Sequence, residues 1–216
     1  MTEFKLSTSE NKQLVEKHLQ AVFDDFISLF PESFHADLRQ NLYIAGGSIY
    51  SIWNNKEVND YDFFVTNEKT LNRLISYFQV LKYNRIKNVQ LAKWGDHNIC
   101  LTDYAISIDK KYQIIVKFSG YPWEVVQEFD IKNNMFYFYI RRVHTLSDWK
   151  FLDTKYAKFN EERARDIASC IARIGKIERK GLRFEKKEIV KMLKKFTELG
   201  EDNGLDKLSK ISEENY

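Results

Sequence analysis

Residues 42–66 read LYIAGGSIYSIWNNKEVNDYDFFVT, and this stretch decides the predicted fold. An apolar run at 42–45 predicts a first strand, the glycines after it predict a break into a short helix, and 60–66 predicts a second strand. Asp60 and Asp62 open that second strand. Because residues i and i+2 of a strand point to one face, both carboxylates are expected to share a face, where they could hold one or two divalent cations.

The glycines predict a phosphate site beside those acids. Gly46 and Gly47 have no Cβ, so their backbone N–H groups could approach a triphosphate closely, and Ser48 could add a hydroxyl. The alternative is that the acids are only solvated residues at a strand start. Phe63 follows Asp62 directly and places that carboxylate beside a buried strand, which favours a functional pair.

Taken in order, these segments resemble a known protein superfamily. A strand, Gly-Gly-Ser, a short helix and then Asp-x-Asp on a second strand resembles the nucleotidyltransferase superfamily typified by DNA polymerase beta. The runs at 112–116 and 129–131, with Arg173 and Lys176 before Lys180-Gly181, resemble tRNA nucleotidyltransferase and poly(A) polymerase head-domain-like proteins. Together these pieces span roughly residues 40 to 185.

The resemblance implies an enzyme that moves a nucleoside monophosphate from an NTP onto a hydroxyl acceptor, RNA or tRNA first, and releases pyrophosphate. It implies Mg²⁺ or Mn²⁺ held by Asp60 and Asp62. The implied nucleotide-binding residues are Gly46, Gly47, Ser48, Gln113, Arg173 and Lys176. Two alternatives stay open: an inactive nucleotide- or RNA-binding module of the same fold, and a nucleotidyltransferase that acts on a protein or a small molecule.

Two departures from the family pattern bear on activity. The superfamily commonly has a third carboxylate on a later strand, and Gln113 stands in the matching run here. An amide oxygen can coordinate a cation but cannot accept a proton, so either two aspartates suffice or Asp103 completes the set. The Arg-Asp pair of tRNA nucleotidyltransferases is also missing, since 49–51 reads Ile-Tyr-Ser. A dedicated CCA-adding enzyme is therefore disfavoured.

Hydrophobic periodicity predicts an α/β (α+β) fold, a mixed β-sheet with flanking helices and a helical carboxy-terminal portion. Apolar residues at helical spacing predict a first helix that ends near Pro31, and a second helix is expected at 68–79. Strands are expected at 89–92, 99–108, 112–118 and 135–140, with a helix at 123–129 and a turn at 109–111. We expect a nucleotidyltransferase domain at 1–150 and a basic helical portion at 151–216.

Positive charge is concentrated near the carboxy terminus. The whole chain carries a formal charge of +3, whereas 161–195 has twelve Lys or Arg and six Asp or Glu, 12 − 6 = +6. Such a surface could neutralise the phosphates of an RNA, although most of these residues could equally form a solvated helix face. The candidate nucleic-acid contacts are Arg179, Lys180, Arg183, Lys186 and Lys187.

Composition excludes several other protein classes. The two cysteines, Cys100 and Cys170, lack zinc-ligand spacing and fit free thiols in a reducing cytoplasm. No stretch approaches the apolar length of a membrane span, so no membrane partner is expected and the predicted location is cytoplasmic. Trp94, Trp123 and Trp149 are expected to pack in the core rather than to stack on bases.

Overall fold

A mixed β-sheet organises the first part of the chain in the computed structural model, which describes residues 8–86, 89–163 and 166–199. The helices in these ranges are α1 (Thr8–Ser28), α2 (Glu32–Asn41), α3 (Gly47–Trp53), α4 (Glu68–Gln79), α5 (Pro122–Val126), α6 (Ile167–Ala172), α7 (Ile174–Arg179) and α8 (Lys186–Glu198). The strands are β1 (Leu42–Ala45), β2 (Tyr61–Val65), β3 (Asn84–Ile86), β4 (Val89–Trp94), β5 (His97–Leu101), β6 (Ala105–Ile108), β7 (Tyr112–Ser119), β8 (Phe136–Tyr139), β9 (Arg142–Thr145), β10 (Tyr156–Ala157) and β11 (Arg183–Phe184).

The described chain forms two units. The first takes the residues up to Val126 together with Phe136–Thr145, and the second takes Gln127–Met135 and the residues from Leu146 onward. The functions assigned above to 1–150 and 151–216 stay predictions. The segment Gln127–Met135 precedes residue 150, yet it belongs with the second unit.

Within the first unit, nine described strands form one sheet in the order β3-β4-β5-β6-β7-β2-β1-β8-β9. β2 and β7 run parallel, while the other neighbouring pairs of this sheet run antiparallel. The predicted mixed α/β architecture is therefore confirmed. The parallel pair at its centre is β2 with β7, the two strands that carry Asp62 and Gln113.

Helix α1 covers one face of the sheet because its apolar residues recur at three- and four-residue intervals. Phe26 of α1 is fully buried and stacks on Phe63 of β2, with ring centroids 3.9 Å apart. The same ring lies 5.2 Å from that of Tyr112 in β7. Strand residues alternate between faces, so Asp62 and Gln113, the chain neighbours of these rings, point to the other face.

Most predicted elements are found, with some differences in extent. The helix expected at 68–79 is α4, and the turn at 109–111 places Asp109 and Lys110 at positive φ between β6 and β7. The run 99–108 is two strands joined by a turn, and the helix expected at 123–129 is the shorter α5. Neither α2 nor β9 was expected.

The second unit is organised by its helices. Phe159, Ile167 and Met192 are buried together, with Ile171, Ile174, Phe184 and Phe196 packed against them. Glu188 of α8 is fully buried, where it accepts a hydrogen bond from the backbone N–H of Phe159 (3.1 Å) and pairs with Lys158. A buried carboxylate is tolerated when it is paired and hydrogen-bonded in this way.

Candidate active site

Two carboxylates begin β2 on the face opposite α1. Asp60 directly precedes the strand and Asp62 lies within it, and both are half-buried. Tyr61, between them, is buried on the α1 side, where a hydrogen bond of 2.8 Å joins its hydroxyl to His18 Nε2. The two acids therefore share a face, as the i, i+2 spacing predicts.

Gln113 lies beside this pair. The parallel register of β2 and β7 aligns Asp62 with Gln113, and Gln113 Nε2 donates a hydrogen bond of 3.1 Å to Asp60 Oδ2. In the described ranges no group of three or more His, Cys, Asp or Glu side chains is arranged to hold a metal ion. Two carboxylates and an amide oxygen are nevertheless the hard oxygen donors that Mg²⁺ and Mn²⁺ prefer, so this donor set fits a divalent cation.

The glycine turn lies at the same end of the central strands as the acids. β1 runs antiparallel to β2 with Ile44 opposite Phe63, so the end of β1 lies beside the start of β2. Gly46 follows β1 with φ 97° and ψ −146°, a conformation that favours glycine. Its N–H donates to the carbonyl oxygen of Phe136 (3.2 Å), which fixes the turn but engages the Gly46 N–H that the sequence had assigned to a phosphate. The structure thus brings the predicted metal and phosphate residues together.

Ser48 has a buried hydroxyl in this turn. Its side chain is only 6% exposed, and within the described part of the chain its Oγ has no hydrogen-bond partner. Leaving such a group unsatisfied costs about 1–3 kcal/mol. A phosphate oxygen of a bound nucleotide would satisfy it, so the hydroxyl is suited to a ligand.

Tyr137 is a candidate site residue that the sequence pattern did not reveal. β8 places it opposite Ala45, the residue before the glycine turn, and it is almost fully buried. Burial raises the pKa of its hydroxyl, and the protonated phenol can donate a hydrogen bond. The β1–β8 pairing joins residues far apart in the chain, so local patterns gave no signal for it.

Asp103 is not brought to the carboxylate pair. It lies in the exposed turn between β5 and β6, and Ser107, four residues later, is the residue of β6 that pairs with Gln113. At about 3.3 Å per strand residue, this is a separation of roughly 13 Å along the sheet. Gln113 contacts Asp60, whereas Asp103 lies away from the carboxylate pair.

The predicted nucleotide-binding residues Arg173 and Lys176 belong to the second unit. Arg173 Nε lies 3.1 Å from Asp130 Oδ2. Burial opposes the charge of Arg173, but the Asp130 carboxylate outweighs it and raises the pKa of the guanidinium. Lys176 is exposed in α7. Arg173 therefore has an ion-pair partner in its own unit, and a nucleotide-binding role for both residues stays a prediction.

The predicted nucleic-acid contacts are also in the second unit, and all of them are exposed. They are Arg179, Lys180, Arg183, Lys186 and Lys187. Lys187 Nζ lies 2.8 Å from a carboxylate oxygen of Glu185, which raises the pKa of the lysine. Their exposure is compatible with RNA contact and equally with a solvated surface.

One tryptophan differs from expectation. Trp123 was predicted to pack in the core, but 47% of its side chain is exposed at the start of α5. The physical reason is the orientation of α5, which buries Pro122 and Val126 at i, i+4 spacing and leaves Trp123 off that buried side. Trp94 and Trp149 are half-buried.

In the residues that the structure describes, no helix combines the length and apolar character needed to cross a membrane.

Similar solved structures are tRNA nucleotidyltransferases. A Thermotoga maritima CCA-adding enzyme complexed with tRNA has a TM-score of 0.51 and 14% identity, over 87% of this chain and 45% of that chain. A CCA-adding enzyme with CTP has a TM-score of 0.49 and 16% identity, over 95% of this chain and 50% of that chain. The present chain thus spans about half the length of these enzymes. The first likeness shows a nucleotidyltransferase-type fold, which confirms the fold that the motifs resembled.

No curated protein matches the sequence. A protein-family model, described as Gabija anti-defense 2 family protein, matches residues 13–155. That range is well over half of the 216 residues and includes the glycine turn, both aspartates and Gln113. The protein therefore belongs to the Gabija anti-defense 2 family.

Proposed function

We propose that this protein is a metal-dependent nucleotidyltransferase that moves a nucleoside monophosphate from an NTP onto a hydroxyl acceptor. The observation that carries the proposal is the cluster of Asp60, Asp62 and Gln113 beside the glycine turn, at the start of two central strands of a nucleotidyltransferase-type sheet. The acceptor oxygen forms a bond to the α-phosphorus while the bond from that phosphorus to the bridging oxygen breaks. Pyrophosphate leaves, and the hydroxyl proton passes to the carboxylate pair.

The position of each residue in the cluster suggests its role in the reaction. Asp60 and Asp62 would hold Mg²⁺ or Mn²⁺, which supplies charge neutralisation and lowers the pKa of the attacking hydroxyl. Gln113 donates to Asp60 and so fixes the orientation of that carboxylate, but as an amide it accepts no proton. Ser48 would donate its buried hydroxyl to a phosphate oxygen, and the N–H of Gly47 would do the same.

RNA, and tRNA in particular, is the acceptor that we propose first. The exposed basic residues of the second unit support it, and one similar solved enzyme is complexed with tRNA. The family name links these proteins to action against a defence called Gabija. We therefore propose that nucleotide transfer, in the cytoplasm, inactivates a component of that defence. A protein or small-molecule acceptor is the alternative within the same chemistry.

A second candidate is a catalytically silent module that binds nucleotide or RNA. Gln113 favours it, because an amide stands where a third carboxylate is common in the superfamily. Such a module would bind NTP without releasing pyrophosphate.

The test is to incubate the protein with each α-labelled NTP, Mg²⁺ or Mn²⁺, and total RNA. We expect labelled RNA, and we expect Asp60→Asn and Asp62→Asn to lower transfer by at least about 100-fold, because each removes an anionic metal ligand. Glu57→Gln is the matched control, since Glu57 is an exposed acid just before the pair and should leave transfer unchanged.

The outcomes separate the candidates. Labelled polypeptide or a labelled small product would identify the alternative acceptors. NTP binding with no pyrophosphate release would identify the silent module. Full transfer in both aspartate variants would contradict the proposed mechanism.

A further inference from the structure

An exposed cluster of aromatic rings lies in the first unit, outside the carboxylate site. We call it the aromatic patch, and its members are Tyr104, Lys117, Phe118, Tyr121 and Trp123. The four aromatic side chains are between 40% and 59% exposed. Large rings of a folded domain are usually buried, and several exposed rings close together mark a binding surface.

Tyr121 and Trp123 form a preformed stacking platform. Their ring centroids are 4.7 Å apart and the ring planes differ by only 2°. The turn that carries them is fixed, because the N–H of Gly120 donates to the Val65 carbonyl (3.0 Å) and the N–H of Tyr121 donates to Glu124 Oε2 (2.9 Å). A planar ligand could therefore extend the stack without reordering the chain.

This turn is joined to the face of the sheet that carries the aspartates. The hydroxyl of Tyr43 donates to the Gly120 carbonyl (3.2 Å), and its ring stacks on Phe64 with centroids 5.4 Å apart. Phe64 is two residues after Asp62 in β2, so both point to the same face. Tyr43 and Phe64 are buried, so they anchor the turn rather than line a path for a ligand. Because the N–H of Gly120 meets the carbonyl of Val65, three residues after Asp62, the turn lies about 10 Å along β2 from the carboxylate pair.

Lys117 places a positive charge among the remaining rings. Its Nζ lies 4.4 Å from the ring centroid of Tyr104 and 5.7 Å from that of Phe118. Aromatic faces with an interspersed cation suit bases that stack and a backbone phosphate between them. Two carboxylates, Asp103 and Glu124, lie next to patch residues in the sequence, so binding here would depend more on stacking than on charge.

We propose that the aromatic patch binds single-stranded nucleic acid and presents its end to Asp60 and Asp62. The identification of that strand as the acceptor rests on the proposed function. The binding itself does not, because stacking on the patch requires neither metal nor transfer.

Fluorescence anisotropy of labelled ten-nucleotide oligouridine and oligodeoxythymidine would test the patch on the full chain without NTP. We expect Tyr121→Ala and Trp123→Ala each to weaken binding about tenfold. Trp123→Leu, which keeps apolar volume but loses the ring, should behave like Trp123→Ala and covers the case of a misfolded alanine variant. The matched control is Tyr156→Ala, since Tyr156 is similarly exposed but belongs to the second unit.

The salt dependence gives a second measurement. With Lys117 as the phosphate contact, log K should fall against log salt with a slope of about −0.7. Weaker binding by the patch variants alone, with this shallow slope, supports the proposal even if no nucleotide is transferred to any acceptor. Unchanged binding in the patch variants, a loss confined to Lys186→Ala and Lys187→Ala, or no binding by the wild type would overturn it. The first two results would leave the proposed transfer chemistry standing.

Discussion

The two faces of β2 and β7 differ in their side chains: one face packs aromatic rings against α1, and the other carries polar residues. On one face Phe63 and Tyr112 pack against Phe26 of α1, and every ring has neighbours. On the other face the alternate residues Asp62 and Gln113 are half-buried and polar, and the adjacent turn holds a buried serine hydroxyl without a hydrogen-bond partner in the described chain. The first face stabilises the fold, whereas the second retains polar groups suited to a ligand. Substitutions on the two faces should therefore have different consequences.

Phe26→Ala tests the packed face and should have the largest effect. Removing a fully buried ring that stacks on Phe63 should lower the free energy of unfolding by about 3–5 kcal/mol. Urea denaturation measures this change. Leu14→Ala, at an exposed position of the same helix, should change it by less than about 0.5 kcal/mol. Equal effects of both substitutions would mean that the packing of Phe26 on the sheet adds no stability, and would contradict the stabilising role assigned to this face.

Gln113→Glu tests the polar face through its charge. A third carboxylate beside Asp60 would add like-charge repulsion, so stability without divalent cations should fall by about 1–2 kcal/mol. Mg²⁺ should restore it, because three carboxylates bind the cation more tightly than two. Thermal unfolding with and without Mg²⁺ measures both effects. Gln79→Glu, at an exposed position, should show no dependence on Mg²⁺, and a Gln113 variant equally insensitive would argue against a cation site.

Ser48→Ala should move activity and stability in opposite directions. Transfer should fall about tenfold, because one donor to the phosphates is lost. Stability should stay the same or rise by up to about 1 kcal/mol, because an unsatisfied buried hydroxyl is removed. Initial rates and urea denaturation would be measured together, with Ser51→Ala in the same helix as the control. A Ser48 variant that loses stability but keeps its activity would show that the hydroxyl stabilises the fold and does not bind the nucleotide.

Protonation of Asp37 should have the smallest effect on stability, and it tests the contact between helices α2 and α4. Burial opposes its charge, but hydrogen bonds from Thr70 and Asn41 and the Arg73 guanidinium outweigh burial and lower the pKa of Asp37 below 3.8. A lowered folded-state pKa gives stability that is present above the unfolded pKa and is lost as pH falls through the folded value. Unfolding measured from pH 5 downward should show a loss of about 1 kcal/mol that is absent in Asp37→Asn. Identical pH profiles for both proteins would contradict this assignment.

The sequence predicted local features better than long-range ones. The stripe of α1 and the i, i+2 spacing of the aspartates follow directly from helix and strand geometry, so both could be read from residue order. Helix α2 was missed because Phe34 and Leu38 are its only buried apolar residues among charged ones, which leaves little periodicity. The contact between Gln113 and Asp60 joins residues 53 positions apart, and its hydrogen bond could not be read from any local pattern.

The route of the chain between its two units constrains how the protein can be divided. Gln127–Met135 interrupts the first unit, and Asn160 Nδ2 donates to the carbonyl oxygens of Gln127 (2.7 Å) and Phe129 (2.9 Å) within the second. A cut at residue 150 would separate these partners and leave both carbonyls without that amide. The two units are therefore not successive segments of the chain, and neither can be exchanged or removed by a single cut. Gln127–Met135 can make its hydrogen bonds with Asn160 only after the carboxy-terminal half has been synthesised.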